Sequence, residues 1–128
     1  MIRELQGINI PRMAELETEL FGRGAWNESM IRQEIAAPAR TYIVDVEDHA
    51  GEDGDIRGYA GFWYDGDDAE LMTIGVDGKY HRQGIATGLM SRMIQLAKTQ
   101  GARRMLLEVR VDNEPALALY RRFGFQMM

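Results

Sequence analysis

The chain contains no cysteine. That excludes a disulfide frame, a thiol nucleophile and a thiolate metal site, and it makes the cytoplasm the expected location. Only two histidines are present, His49 and His81. They lie far apart and lack companion ligands, so no metal centre is expected. No apolar run approaches the ~20 residues of a membrane span, and Met1-Ile2-Arg3-Glu4 opens without the apolar stretch of a signal peptide. Positive charge is in deficit: 15 Lys and Arg against 20 Asp and Glu give a net charge of −5. Such a balance argues against nucleic acid as a primary partner. It suits a basic acceptor, and it equally suits a protein that is merely kept soluble.

What is present is ordinary globular material. A chain of 128 residues, 45% hydrophobic and 27% charged, is sized for one domain, 1–128, with a real core. A short strand is expected over 2–5. Asn9 is placed to cap a helix reaching about Leu20, with Pro11 in its first turn, and Phe21-Gly22-Arg23-Gly24 ends it. Asn27 would cap a second helix running to about Ala36, before Pro38. Residues 41–46 alternate as a strand, whereas 47–57 is acidic and glycine-rich and reads as a hairpin loop. Two strands, 58–64 and 69–76, follow across the turn Asp65-Gly66-Asp67-Asp68. Next come a helix from Gly84 to Gly101, a strand over 103–111, and a helix over 113–123 with Pro115 in its first turn and Gly124 just past its end. Residues 125–128 begin a last strand. The order β-α-α-β-β-β-α-β-α-β is an α+β fold, a mixed sheet with helices on both faces.

The segment richest in chemistry is His81-Arg82-Gln83-Gly84-Ile85-Ala86. It follows the apolar run Leu71-Met72-Thr73-Ile74-Gly75-Val76, and after it Ile85, Leu89, Met90, Met93, Ile94 and Ala97 recur at helical spacing. A strand, a basic glycine-containing turn and a helix N-terminus form an anion site, with N–H groups pointing outward and the macrodipole favouring negative charge. Gly84 leaves room for a phosphate to approach the backbone. The plain alternative is that Arg82 and Gln83 are solvated turn residues. Glu108, between Leu107 and Val109, is either paired with Arg104 or Arg110 or functional, because a lone carboxylate in apolar surroundings is costly. Tyr120 is either a core residue beside Leu117 and Phe123 or a proton donor.

These segments resemble the GNAT N-acetyltransferases and, within them, the ribosomal-protein alanine N-acetyltransferases of the RimI type. The likeness rests on Arg82, Gly84 and Ala86, with His81 where Gln or Arg is usual. It rests also on Leu71–Val76 read as a block, on Leu107-Glu108-Val109-Arg110-Val111-Asp112-Asn113, and on Ala116-Leu117-Ala118-Leu119-Tyr120-Arg121-Arg122-Phe123-Gly124-Phe125. It covers nearly the whole chain from about Ile2.

The resemblance implies acetyl-CoA as co-substrate and no metal. Arg82, Gln83, Gly84, Ile85, Ala86 and Thr87 would hold its pyrophosphate. The backbone of Ile74, Gly75 and Val76 would bond the cofactor arm and face the thioester oxygen, where an aimed N–H is a source of rate. Asn113 would bond the pantetheine arm while capping its helix. Glu108 would be the general base, through a water, and Tyr120, a phenol of pKa about 10, the proton donor to a thiolate of pKa about 8.5. Such a base is better matched to an α-amine, near ~7.7–8.0, than to lysine near ~10.4. Trp26 and Tyr42 are candidates to line the peptide groove, and Trp63 is a sheet residue.

The implied activity is direct acetylation of the N-terminal α-amine of a protein, a ribosomal one by resemblance. Two alternatives stay open: a small-amine or lysine N-acetyltransferase, and a non-catalytic acetyl-CoA-binding module, which would not need the Glu108–Tyr120 spacing. Neither nucleic acid nor membrane is an expected partner. The resemblance implies one more strand beyond 125–128, so an open sheet edge is expected, which either pairs with a neighbouring molecule in self-association or leaves the last residues loosely ordered.

Overall fold

Alternation in the first long strand sets the layers. Tyr42, Val44 and Val46 face one side of the sheet and Ile43 the other. The computed structural model describes residues 1–49, 52–107 and 114–124. In chain order these form β1 (Ile2–Glu4), α1 (Ile10–Phe21), α2 (Glu28–Ala36), β2 (Arg40–His49), β3 (Glu52–Tyr64), β4 (Asp68–Val76), α3 (Ile85–Gln100), β5 (Arg104–Leu106) and α4 (Glu114–Arg122). The strands lie in one sheet in sequence order. The first four are antiparallel to their neighbours, and β5 is parallel to β4. That is the mixed α+β sheet expected.

Each face of the sheet carries its own core. Ile10, Met13 and Leu16 of α1 and Ile31 of α2 pack with Tyr42, Val44, Val46, Ile56 and Tyr59. Ile85, Leu89, Met93 and Ala97 of α3 pack with Ile43, Ala60, Phe62 and Ala69 on the opposite face. Burial of these apolar side chains, each worth about 1.5–3 kcal/mol, holds both helical layers to the sheet.

Three local expectations change. Asn9 precedes α1 but does not cap it with its side chain; its Oδ1 instead accepts from the Gln6 N–H at 2.9 Å and closes the short 3₁₀ turn Gly7–Asn9. Asn27 does cap α2, accepting from the Met30 N–H at 2.9 Å. The acidic stretch 47–57 is not a loop. β2 and β3 continue through most of it, with Asp48 opposite Asp53 and His49 opposite Glu52, because backbone pairing carries a hairpin past the point where composition turns polar. The strand expected over 103–111 is seen as Arg104–Leu106, with Leu107 already outside it. Its remainder, and the strand expected over 125–128, lie outside the described residues.

One irregularity matters for the site. Gly61 pairs with Thr73 and Phe62 with Leu71, so Met72 is an extra residue in β4, a β-bulge. Leu71 and Ile74 belong to the α3 side, whereas Met72 packs on the α1 side, where Thr73 also meets α1. Two consecutive residues therefore face α1.

Candidate active site

A cleft of about 1060 Å³ lies against the second half of β4. Its floor is 71–76. One wall is the end of α1 and the turn after it, including Glu17, Leu20, Phe21 and Trp26. The other is the turn into α3 with the first residues of that helix, and Leu119, Tyr120 and Arg122 of α4 close it.

The turn into α3 has the geometry of a candidate anion cradle. Asp77, buried, ends β4 and fixes the start of this turn: its Oδ1 accepts from the Lys79 N–H at 3.1 Å, its Oδ2 accepts from Arg12 Nη2 of α1 at 3.1 Å, and its own N–H donates to the Arg57 carbonyl at 2.9 Å. Arg82 then adopts φ +65° and Gly84 φ +76°, both left-handed. Glycine takes that conformation without penalty, whereas an arginine there is unusual and often marks a functional turn. α3 starts at once, with no side-chain cap and no acidic residue in its first turn. The N–H groups of Ile85, Ala86 and Thr87 have no partner within the helix, and these three residues line the cleft together with Arg82 and Gly84. Gln83 is exposed and is not among the lining residues.

The arrangement matches a known family. The family model described as "Acetyltransferase (GNAT) family" matches residues 10–125. The chain belongs to the GNAT acetyltransferase family. Over 120 residues it is 38% identical to the N-alpha-acetyltransferase RimI of Mycobacterium tuberculosis, covering 90% of this chain and 71% of that one. Over 125 residues it is 33% identical to a Bacillus subtilis protein named as a candidate ribosomal protein bS18-alanine N-acetyltransferase, covering 98% and 80%. The crystal structure of the ribosomal-protein-S18-alanine N-acetyltransferase of Escherichia coli superposes with TM-score 0.87 at 25% identity, over 100% of this chain and 78% of that one. As a GNAT protein the chain is an acetyl-CoA-dependent acyltransferase.

Within this GNAT domain, Ile74, Gly75, Val76 and Tyr120 line the same cleft as the Arg82–Gly84 turn. Among the described residues β5 pairs only with Asp68–Glu70, so the far side of 72–76 is outside that ladder. Gly75 is glycine for a reason that its neighbours in sequence do not reveal. It sits opposite Tyr59, and a Cβ on it would lie 2.5 Å from the Tyr59 hydroxyl.

Tyr120 is buried, and burial raises its phenol above the ordinary value. The group therefore stays protonated at neutral pH, but complete transfer to a thiolate of pKa about 8.5 is uphill. Glu108 and Asn113 lie outside the described residues.

Of the two groove candidates, Trp26 lines the cleft and Tyr42 does not. Tyr42 is buried in the core on the α1 side, against Gly61. Trp63, as expected, is a sheet residue; it carries the Arg40 guanidinium 5.0 Å from its ring centre.

One cleft-lining residue was missed. Glu17 is 3% exposed, yet it lines the cleft. Its Oε2 accepts from the Tyr59 hydroxyl at 2.7 Å and its Oε1 from the Thr73 hydroxyl at 3.4 Å. Burial raises its carboxyl above the ordinary value, and the two hydrogen bonds pull it partly back. The signal was available. Ile10, Met13, Leu16, Glu17 and Leu20 fall on one stripe of α1, and a glutamate on an apolar stripe is a buried charge in need of a reason.

Proposed function

We propose that this domain acetylates the N-terminal α-amine of a protein, with an alanine-starting ribosomal protein as the substrate class. The observation that carries the reading is one cleft holding three things at once: an uncapped helix start behind a left-handed Arg82–Gly84 turn, the β4 floor at 74–76, and the Tyr120 phenol. The names of the relatives supply the acceptor class.

Each wall of the cleft has its role. Arg82, Gly84 and the first-turn N–H groups of 85–87 hold the pyrophosphate of acetyl-CoA; Gln83, exposed, contributes through its backbone at most. When bound, acetyl-CoA supplies an activated acyl group as a thioester. The backbone at Ile74–Val76 offers hydrogen bonds to the thioester oxygen as negative charge gathers there. Tyr120 donates to the sulfur as its bond to the acyl carbon breaks. Glu108, just past β5 in the chain, takes the proton of the attacking amine through a water, and Asn113 holds the pantetheine arm. Trp26 and Phe21 form the acceptor side of the cleft.

Incubation of a peptide panel with acetyl-CoA tests this, read by mass spectrometry over Ala-, Ser- and Met-starting termini and internal lysines. Acetate on the Ala-starting α-amine is expected; exclusive lysine labelling would refute the acceptor assignment. Tyr120→Phe should lower kcat roughly 10- to 100-fold with acetyl-CoA affinity unchanged. A wild-type kcat in that variant would remove Tyr120 from the chemistry.

A further inference from the structure

Glu17 is a carboxylate that the family chemistry above does not employ. Two hydroxyls bond it, that of Tyr59 from β3 and that of Thr73 from β4, and the Tyr42 phenol, held protonated chiefly by burial and by Glu34, feels its charge more weakly. All three are neutral, and no basic side chain among the described residues bonds it. A buried carboxylate with only neutral partners lacks the counter-charge such groups ordinarily have.

The two oxygens are not equivalent. Oε2 is held firmly at 2.7 Å by a fully buried tyrosine, whereas Oε1 has only a long 3.4 Å contact from Thr73. A carboxylate has about four lone-pair sites, so Oε1 keeps capacity for a further donor. In register with Gly61, Thr73 faces α1 beside the floor residues 74–76 where the acyl group would lie.

We propose that Glu17 is a second general base of this enzyme: its Oε1 binds the acceptor's α-ammonium in the cleft and takes the proton that frees the amine for attack. One N–H bond of the ammonium breaks, an O–H bond forms on Glu17, and the nitrogen lone pair becomes available to the acyl carbon. The proton leaves to solvent once the amide has formed. Low dielectric favours this exchange, because it turns an ion pair into two neutral groups. The raised carboxyl value narrows the gap to an α-amine near ~7.7–8.0. The proposal rests on the N-terminal acetylation reading above.

The test is the pH dependence of kcat/KM for an Ala-starting peptide in wild type, Glu17→Gln and Tyr59→Phe. Glu17→Gln keeps an acceptor for the tyrosine and loses only the base. It should fall by about 100-fold near pH 6.5, recover most of that near pH 9, where the amine deprotonates unaided, and keep its KM for acetyl-CoA. Tyr59→Phe removes the hydrogen bond that favours the charged carboxylate, so its acidic limb should move to higher pH. A Glu17→Gln defect equal at both pH values, or none, would overturn the proposal, since a structural role has no reason to vanish as the amine deprotonates. An unshifted limb in Tyr59→Phe would do the same. A wild-type enzyme that labels no terminus would overturn the parent reading and this one together; normal wild-type transfer with a pH-independent variant would overturn this one alone.

Discussion

Adding a single methyl group at Gly75 should disable the floor of the cleft. A Cβ there would lie 2.5 Å from the Tyr59 hydroxyl oxygen, 2.6 Å from its Cζ and 2.9 Å from Leu20 Cδ1. Ordinary contact begins at 3.4 Å, so the first approach falls short by 0.9 Å. Leu20 is partly exposed and can swing away. Tyr59 cannot: its accessibility is 0% and its hydroxyl is anchored on Glu17. Overpacking of a filled core costs about 1–3 kcal/mol, and loss of a hydrogen bond to a charged group about 1.5–3 kcal/mol. The two overlap, because displacing the ring relieves the first by incurring the second. A net loss of about 3 kcal/mol is expected for Gly75→Ala, a drop in Tm of about 10 °C for a domain of this size. Urea and thermal unfolding followed by circular dichroism would measure it. In a Tyr59→Leu background, which removes both close atoms, the same change should cost under about 1 kcal/mol, leaving a coupling energy of about 2 kcal/mol. Equal costs in the two backgrounds would refute the contact as the cause.

Three more outcomes are expected from the same geometry. Gly84→Glu should abolish the thermal stabilisation that saturating acetyl-CoA confers, by setting a carboxylate against phosphate and forcing a side chain onto φ +76°; an undiminished thermal shift would exclude that turn as the phosphate site. Glu17→Gln should be more stable than wild type at neutral pH. Burial raises the native carboxyl, so between the unfolded value near ~4.3 and the higher native one the folded state binds more protons, and wild-type stability falls as pH rises through that window. The advantage of the variant should therefore vanish below about pH 4, as urea midpoints at the two extremes would show. Asp77→Ala removes the tie between Arg12 of α1 and the turn after β4. It should cost about 1–2 kcal/mol and raise the Kd for acetyl-CoA several-fold in a calorimetric titration, with no such change if the turn holds itself.

The glycine turn into α3 and its place beside the cleft were legible in the sequence because everything that makes that turn is local: a glycine, a basic residue and an apolar stripe within a few positions of one another. The layers were legible for a similar reason, since Tyr42, Val44 and Val46 against Ile43 state the faces outright. Features that depend on a distant partner were not. The role of Gly75 comes from Tyr59 across the ladder, and that of Asp77 from Arg12. The Met72 bulge hides in a continuous apolar run, where no change of polarity marks a change of face. The stretch 47–57 misled because acidic and glycine-rich composition says loop, while its backbone continues the β2–β3 ladder. Glu17 was visible in principle, as a charge on an apolar stripe, but its neighbours Tyr59 and Thr73 are 42 and 56 residues away.

The bulge at Met72 also bears on how this strand tolerates insertion and deletion. Losing one residue from a buried strand ordinarily turns every later side chain to the wrong face. Here a deletion of Met72 would join Leu71 directly to Thr73 opposite Phe62 and Gly61, and produce an uninterrupted ladder. Ala69, Leu71, Ile74 and Val76 would all keep their places toward α3, and Thr73 and Gly75 theirs toward α1. The strand thus carries one residue more than its ladder requires, and a shorter relative could fold with the same α3-side core. What the shorter strand would lose is the local bend and extra twist beside the cleft. At this position a deletion leaves the ladder and its register intact, and what it forfeits is the packing of Met72 on the α1 side and the bend beside the cleft.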